Sequence, residues 1–459
     1  MIKYIFISNI LESYYKTYLD LSPKEGDYWI KHDYMEANRA LLYGEDDKVI
    51  VTSYPVHPEN INYICDIAGW VNTINLYPEH PTYSICRDCL SGKMYSEIKE
   101  MILNNPSVNL IAYRNTPEFY KLVKKLKKEG LNFNLPEALD EDDRFISTYA
   151  HSKRGFRHLW EKSLSNKNVK YDIDIPPGFI TSNKQEAIDA CLWFFGKGKS
   201  FVVKYNFGAS GFGLLMFDIN EIPKEAIELK KYIRDKLTDN IWDKDVIVVE
   251  ELMDVDQSSF SGSPNVELYI DENGVHNSYA CEQVLDKDGK TFLGIYINPE
   301  VNQSEYMKTG FQVGHEFGNT LKDLGYRGIF DIDFVVTKDN KLFAVESNLR
   351  RTGGTHTHEF CRFLLGDDYF NHYYIISEDV ELDKIYSYDD FLNNFKDYKY
   401  NKEKKEGFLL FNADMLSVKK ASIIYIAGSK EKIEEMRQNI INVVKKQLLQ
   451  PQGDFTLAP

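Results

Sequence analysis

The sequence has 459 residues, of which 43% are hydrophobic and 14% are aromatic. This length exceeds one ordinary hydrophobic core and the composition is that of a globular chain, so we expect two or three folded domains. The formal net charge of −15 argues against nucleic acid or an anionic membrane as the main partner, because proteins that bind those surfaces need clustered basic residues.

The patterns that would mark export or membrane insertion are not found. No apolar run approaches the roughly 20 residues of a membrane span, and the first residues, MIKYIFISNILESYY, lack a small-residue cleavage site. The six cysteines are scattered, and the C-x-x-C pair of Cys86 and Cys89 has no second pair to complete a zinc site. We therefore expect a cytoplasmic protein with reduced cysteines.

The first third of the chain alternates between strand-like and helical patterns. Residues 49–54 and 108–113 are apolar and strand-like, and the second run is followed by an amphipathic helical pattern. This order predicts a small α/β domain with a parallel sheet. The region has no glycine-rich nucleotide fingerprint, so no site residue is assigned to it. A charged stretch at residues 140–144 marks its expected end.

A glycine-rich loop lies between two predicted strands, at residues 200–206 and 214–217. A Walker loop would need a helix after the glycines and a Lys-Ser or Lys-Thr pair, and neither is present. The order strand, loop, strand instead predicts a flexible flap whose backbone N–H groups approach phosphates. Lys204, at the end of the first strand, would add a positive charge beside them.

A polar hairpin is the strongest candidate for a metal site. An apolar run that contains Asp331 and Asp333 leads through a polar turn into a returning strand that ends in Glu346 and Asn348. Alternation along the strand places both aspartates on one face, and the turn brings the two later residues beside it. Oxygen ligands on rigid strands suit Mg²⁺. A solvated hairpin edge is the structural alternative.

Other polar residues are candidates for the same site. Glu267, Glu282 and Gln283 lie on two strand-like segments joined by a turn, where they can face a cleft. His356 is a candidate for substrate binding. No third soft ligand accompanies His356 and His358 at a useful spacing, so we do not expect zinc there.

Taken together, these motifs resemble the ATP-grasp ligases. Asp333 followed by Glu346, Asn348 and Arg350 is similar to their metal-binding signature, in which an aspartate precedes an E-x-N-x-R strand end by one hairpin. The sequence VVKYNFGASGFG is similar to their second lysine and phosphate flap. The sequence TGGTH, at residues 352–356, resembles the pheganomycin-type peptide ligases, which carry an additional amino-terminal pre-ATP-grasp domain.

The resemblance implies an α/β (α+β) fold in three parts. Residues 1–145 would form the pre-ATP-grasp domain. Residues 146–374 would form the ATP-grasp domain, with a nucleotide-binding subdomain at about 150–252 and a metal-binding subdomain at about 253–374. A small α/β module without evident chemistry would occupy residues 375–459.

The resemblance also implies roles for individual residues. ATP would be bound by Lys153, Lys204, Gly208, Ser210, Gly211 and Gly213, with Glu250, Glu251 and Asp254 as candidates to hold the ribose. Two Mg²⁺ ions, with Mn²⁺ as an alternative, would bind Asp333, Glu346 and Asn348; the spacing to Glu346 favours Asp333 over Asp331. Catalysis would involve Arg350, Lys204, Gly353, Gly354 and His356.

The implied activity is that of a carbon–nitrogen ligase. It would join a carboxylate to an amine through an acyl phosphate and release ADP and phosphate. Its substrates would be amino acids or peptides in specialised metabolism, and a homodimer is one option for its assembly. Two readings from other classes stay open: a nucleotide-binding regulatory protein with this fold, and a small-molecule kinase.

Overall fold

The computed structural model describes residues 1–138, 144–165, 173–208, 211–258, 260–286, 289 and 291–446. Within these ranges the chain forms three β-sheets with helices packed around them, which confirms the expected α/β (α+β) class. None of the helices in these ranges is long and apolar enough to cross a membrane.

The amino-terminal part is a parallel four-stranded sheet flanked by helices. Its elements are β1 (Tyr4–Ile7), α1 (Ile10–Tyr18), α2 (Pro23–Glu36), β2 (Lys48–Val51), α3 (Pro58–Ala68), β3 (Thr73–Leu76), α4 (Ile85–Asp88), α5 (Gly92–Asn104), β4 (Asn109–Ala112) and α6 (Pro117–Lys128). The strand order is β3-β2-β1-β4, and every pair is parallel. Ile5 and Phe6 contribute to two different apolar cores, which explains why these strands are apolar on both faces.

The middle of the chain forms a four-stranded antiparallel sheet, its flanking helices and one strand of the third sheet. Its elements are α7 (Arg144–His151), α8 (Lys153–Ser165), β5 (Ile173–Asp174), β6 (Gly178–Thr181), α9 (Lys184–Gly196), β7 (Phe201–Tyr205), β8 (Leu214–Phe217), α10 (Ala226–Lys236) and β9 (Ile247–Glu251). Strands β6, β9, β7 and β8 pair in that order. Asn183 caps α9 by accepting the N–H of Glu186 at 3.0 Å, as its position before the helix predicts. The glycine-rich loop joins β7 to β8.

The rest of the chain builds a nine-stranded sheet. Its elements are β10 (Pro264–Ile270), β11 (Val275–Leu285), β12 (Phe292–Ile297), α11 (Pro299–Gln303), α12 (Glu305–Asp323), β13 (Gly328–Val336), β14 (Leu342–Asn348), α13 (Thr355–Leu365), β15 (Tyr374–Glu381), α14 (Tyr388–Asn394), β16 (Gly407–Asn412), β17 (Lys420–Ala427) and α15 (Lys430–Lys446). The strand order is β16-β17-β15-β12-β11-β10-β13-β14-β5.

The carboxy-terminal strands extend the sheet that carries the polar hairpin. Strand β15 pairs with β12, and β17 and β16 follow it. One face of these strands shares an apolar core with the first sheet, and α15 covers the other face. The predicted boundary at residue 375 thus falls within β15, inside a continuous sheet. The region after it packs directly on the amino-terminal part.

Candidate active site

A cavity of about 250 Å³ lies where the three sheets approach one another. Its wall brings together most of the predicted site residues: Lys153, Lys204, Gly208, Gly211, Gly213, Asp333, Glu346, Asn348, Arg350, Gly353 and His356. Gly354, Glu250, Glu251 and Asp254 are not part of this wall. Ser210 lies outside the described residues.

The polar hairpin forms between β13 and β14 and brings the predicted residues together. Asp333 pairs with Glu346 and Asp331 pairs with Asn348 across β13 and β14, with a bulge directly after Asp333. The amide of Asn265, on the neighbouring strand β10, donates to Asp331 at 3.1 Å and to Asp333 at 2.5 Å. Both aspartates therefore lie on one face, as alternation along the strand predicts.

The carboxyl groups of Asp331, Asp333 and Glu346 lie close enough together to affect one another's pKa. Burial raises the pKa of Asp333 well above its ordinary value, and the neighbouring carboxylates of Asp331 and Glu346 raise it further. Burial would also raise the pKa of Glu346, but the ammonium groups of Lys153 and Lys204 outweigh it and hold that pKa below its ordinary value. Concentrated negative charge of this kind favours a bound cation.

Lys153 connects the hairpin to the glycine-rich loop. Its Nζ lies 2.5 Å from Oε2 of Glu346 and donates to the backbone oxygen of Gly208 at 2.9 Å. Lys153 begins α8, and its own N–H donates to the backbone oxygen of Asn206 at 2.9 Å. Its ammonium group is thus held between the two segments that the sequence predicts to bind phosphates and metal.

Lys204 makes a second buried ion pair. Its Nζ lies 2.6 Å from one oxygen of Glu250, and Arg157 donates to the other oxygen at 2.7 Å. The other acids proposed for the ribose also have cationic partners, since Glu251 pairs with Lys199 at 2.6 Å and Asp254 with Lys338 at 2.7 Å. Which acid holds a ribose stays a prediction.

Arg350 reaches across the cavity to the amino-terminal part. Its Nε donates to the hydroxyl of Tyr14 at 2.8 Å, and its guanidinium lies 5.5 Å from the ring centre of Tyr113. It also donates to Oδ1 of Asn348 at 3.2 Å. The amino-terminal part of the chain therefore fixes a guanidinium next to the predicted metal ligands, where it can neutralise a phosphoryl group or an oxyanion.

A buried carboxyl group fixes the TGGTH segment. Glu267 accepts the hydroxyl of Thr352 at 2.8 Å, that of Thr355 at 2.5 Å and that of Ser278 at 3.1 Å. Burial raises the pKa of Glu267 to about 8, against the lowering effect of these hydroxyl donors. Glu267 therefore positions the turn that begins α13 and does not lie on the cavity wall.

His356 is 2% exposed and packs with its ring centre 4.8 Å from that of Phe411. Its Nε2 lies 3.2 Å from the hydroxyl oxygen of Thr357, and its Nδ1 has no hydrogen-bond partner among the described residues. Burial lowers the pKa of His356 well below its ordinary value, and the nearby charge of Arg39 lowers it further. The ring is therefore neutral at physiological pH.

Sequence reasoning missed two walls of the cavity. Helix α2 and the turn after it contribute Tyr28, Trp29, His32, Glu36 and Arg39, and the carboxy-terminal strands contribute Ser377, Glu378, Asp379, Phe411 and Lys420. The region after residue 375, which has no evident chemistry in its sequence, therefore contributes side chains to the cavity wall. The spacing of Tyr28, His32 and Glu36 does place them on one helical face, but no local pattern shows what that face meets.

The hairpin residues fit a magnesium site. Asp333, Glu346 and Asn348 all present oxygen donors on rigid, paired strands, and hard oxygen ligands of this kind suit Mg²⁺. The crowding of carboxylates around Asp333 is what a cation would relieve. The three residues would hold the ion, and Gln283, which donates to Asp333, would orient that carboxylate.

No family model matches the chain. The L-propargylglycine–L-glutamate ligase of Streptantibioticus cattleyicolor is 30% identical over 126 residues. The match covers 26% of this chain and 23% of the length of that curated relative.

Solved structures match over nearly the whole chain. The N5-carboxyaminoimidazole synthetase of Staphylococcus aureus, complexed with ADP, has a TM-score of 0.55 at 9% identity and covers 95% of this chain and 96% of its own. The biotin carboxylase of Campylobacter jejuni has a TM-score of 0.54 at 11% identity, with coverages of 97% and 91%. Both are ATP-grasp enzymes. The chain has the ATP-grasp fold. Identities this low show the ATP-grasp fold alone.

Proposed function

We propose that this protein is an ATP-dependent carboxylate–amine ligase. The observation that carries the proposal is the convergence, in one cavity, of Lys153, Lys204, the glycine loop and the oxygen donors of the β13–β14 hairpin. Such a set suits phosphoryl transfer, where positioning and charge neutralisation provide most of the catalysis. The three-part domain division and the individual residue roles belong to the same proposal.

The residues around the loop would hold ATP. The ammonium groups of Lys153 and Lys204 would contact its phosphates, and the backbone N–H groups of the loop that contains Gly208, Gly211 and Gly213 would lie against them. Two Mg²⁺ ions on Asp333, Glu346 and Asn348 would neutralise the β- and γ-phosphates when bound. Mn²⁺ offers the same coordination chemistry.

The proposed reaction has two steps. A substrate carboxylate oxygen attacks the γ-phosphorus, the bond from that phosphorus to the β,γ-bridging oxygen breaks, and ADP leaves with both bonding electrons. An amine nitrogen then attacks the acyl carbon of the acyl phosphate, phosphate leaves with the former carboxylate oxygen, and the nitrogen loses a proton. Arg350 lies beside the ligands of the hairpin and would stabilise the negative charge that develops in both steps.

Amino acids or short peptides are the proposed substrates. The curated relative is by its name a ligase of L-propargylglycine and L-glutamate, so it joins two amino acids. The presence of both charge signs on the cavity wall suits such zwitterionic molecules. A role in specialised metabolism is part of the proposal.

Mass spectrometry of the purified protein tests the activity. The protein is incubated with Mg-ATP and two pools: amino acids and short peptides with blocked amines, which can act only as carboxylates, and others with blocked carboxyls, which can act only as amines. We expect ADP together with a product one water lighter than the sum of one member of each pool. Release of AMP would contradict the proposed ligase. A phosphorylated pool member without condensation would also contradict it and would indicate a kinase.

A matched pair of variants shows whether the product comes from this cavity. Glu346→Gln replaces the carboxylate of a predicted metal ligand with an uncharged amide of the same size, so we expect it to abolish ADP formation. Glu305→Gln changes an exposed glutamate at the start of α12 and should leave the rate unchanged. Equal rates in both variants would place the activity elsewhere.

A further inference from the structure

We infer that the outer part of the cavity, between α2 and the carboxy-terminal strands, binds a positively charged group of the substrate that is remote from the reacting atoms. The inference rests on the proposed ligase function and deepens it, because it names a substrate class: extended molecules with an ammonium or guanidinium group, such as basic peptides. The group that would be recognised is neither ATP nor the reacting carboxylate.

Three potential ligand atoms converge in this outer part. One side-chain atom each of His32, Glu36 and Asp379 lies within 4.8 Å of the other two. His32 and Glu36 lie one helical turn apart on α2, whereas Asp379 comes from β15, more than 300 residues later. All three line the cavity that also contains the predicted phosphate site.

The existing partners leave room for an added cation. Glu36 pairs with Arg39, and the hydroxyl of Ser422 donates to Asp379 at 2.6 Å. His32 lies 3.3 Å from Asp33, a further acid. Asp379 has no ion pair with a cationic side chain among the described residues, although Lys420 lines the same cavity. The ammonium group of Lys420 instead lies 3.1 Å from the hydroxyl of Tyr28 and 5.7 Å from the centre of its ring, so the ring of Trp29 is the one beside His32 that is left for an added cation.

The aromatic walls favour an organic cation over a hydrated metal ion. Tyr28 and Trp29 line the cavity beside His32, and the ring centres of Trp29 and His32 are 5.4 Å apart. Carboxylates next to aromatic faces bind ammonium and guanidinium groups through charge and cation–π contacts together. A metal ion would gain little from the rings.

A second, independent feature indicates a ligand in the same region. His356 is 2% exposed and lies on the cavity wall, and its Nδ1 has no hydrogen-bond partner among the described residues. It packs against Phe411 of the carboxy-terminal strands. A buried polar atom without a partner is costly, and a polar group of a bound substrate would satisfy it.

The sheet separates this region from the reaction centre. Strand β15, which carries Asp379, lies four strands from β13, which carries Asp333. At roughly 4.8 Å between neighbouring strands, the separation along the sheet is up to about 19 Å. An extended peptide covers roughly 3.5 Å per residue. A short peptide can therefore reach from one region to the other, with the cationic group on a different residue from the reacting one.

Blocked peptides test the inference. Acetyl-Lys-Gly-Gly has a blocked α-amine and offers one carboxylate, Gly-Gly-Lys-amide has a blocked carboxyl and offers its α-amine, and both carry the side-chain ammonium group at a distance. The same peptides with norleucine in place of lysine match them in length without the charge. We expect the wild type to bind at least one lysine peptide about tenfold more tightly than its norleucine counterpart in calorimetry. The same preference should appear as a lower KM for ADP formation.

Variants connect the preference to the outer cavity. Asp379→Asn and Glu36→Gln should remove the lysine preference by raising the KM for the lysine peptide. The kcat and the KM for the norleucine peptide should stay unchanged. Asp367→Asn changes a fully exposed acid and should keep the preference. The inference is overturned if the wild type does not distinguish the peptides, or if Asp379→Asn keeps the distinction. It is also overturned if Zn²⁺ or Mn²⁺ binds at His32 and lysine peptides do not compete with it.

The ligase proposal and the cation-site proposal can be contradicted independently of each other. Calorimetry without ATP reports on the outer cavity even when no turnover occurs, so binding without ADP formation would contradict the ligase and support the cation site. ADP formation with equal use of the lysine and norleucine peptides would support the ligase and contradict the cation site.

Discussion

The backbone N–H of Asn348 donates to Oδ1 of Asp331 at 2.9 Å, across the hairpin that also pairs Asp333 with Glu346. The two aspartates of one strand face therefore have different surroundings. The amide of Asn265 donates to both, but Asp331 also accepts the backbone N–H of the partner strand, whereas Asp333 lies beside Glu346 and accepts from the amide of Gln283. This difference favours Asp333 as the metal ligand and Asp331 as the residue that fixes the strand end.

The two aspartates should respond differently to the same substitution. We expect Asp333→Asn to reduce ADP formation by about 10²- to 10³-fold, because a ligand next to the transferred phosphoryl group would lose its charge. Asp331→Asn should cost about 1 kcal/mol of unfolding free energy and retain most of the activity. Coupled ADP assays and urea unfolding of both variants provide the measurement. A larger loss of activity in Asp331→Asn would reverse the assignment.

Lys204, in strand β7, and Lys199, just before that strand, form a matched pair for substitution. Lys204→Met should lower ADP formation by about 10²-fold, because its buried ammonium group would contact the phosphates. Lys199 pairs with Glu251 near the surface, so Lys199→Met should change the rate less than about twofold and the stability by about 0 to 1 kcal/mol. Steady-state kinetics at varied ATP concentration distinguishes the two. Similar kinetics for both variants would argue against a phosphate role for Lys204.

The buried carboxyl of Glu267 predicts a pH-dependent stability. Burial raises its pKa to about 8 from 4.5 in the unfolded chain, so the folded protein retains a proton that the unfolded chain releases. This stabilisation is complete below about pH 4.5 and is lost as the pH rises through about 8. Glu267→Gln lacks this loss, so its unfolding free energy relative to the wild type should rise between about pH 5 and about pH 8.

Urea unfolding at several pH values measures this difference. Glu272→Gln, in the exposed turn between β10 and β11, serves as the control and should follow the wild type at every pH. A Glu267→Gln variant whose relative stability does not change with pH would show that the carboxyl is not protonated in the folded protein.

The two glycines of the TGGTH segment should differ in their tolerance of a side chain. A Cβ on Gly354 would overlap the hydroxyl of Tyr279 and lie 2.7 Å from Ile295, both of which are buried. A Cβ on Gly353 would instead meet the ring of Phe292, which is only partly buried and can turn. We expect Gly354→Ala to cost about 1 to 3 kcal/mol of unfolding free energy and Gly353→Ala less than about 1 kcal/mol. Thermal unfolding tests this order, and equal losses would contradict it.

Local patterns predicted the hairpin and the glycine loop because both are formed by neighbouring residues. The turn after Val336 and the flanking strands form a local hairpin, and alternation places Asp331 and Asp333 on one face. The bulge after Asp333, which shifts the pairing by one residue and brings Glu346 opposite Asp333, has no signal in the local pattern. The loop after Lys204 is similarly defined by its flanking strands. These segments carry most of the predicted phosphate and metal residues that line the cavity.

The rest of the site depends on pairings that are distant in sequence. The contact of β12 with β15 brings Asp379 into the sheet, and packing of α2 on the carboxy-terminal strands brings His32 opposite it. The sequence around His32 does not indicate that it lies near Asp379, and the sequence around Asp379 does not indicate His32. The role of Glu267 was hidden for the same reason, because only the packed structure shows that its carboxyl is buried beneath the TGGTH segment.

Transfer of oxygen from the substrate tests acyl phosphate formation most directly. The carboxylate substrate is labelled with ¹⁸O, and the released phosphate is analysed by mass spectrometry after turnover with Mg-ATP and an amine. Attack of the carboxylate on the γ-phosphorus predicts one ¹⁸O atom in phosphate for each ADP formed. Label in AMP, or phosphate without label beside a condensed product, would contradict the proposed chemistry.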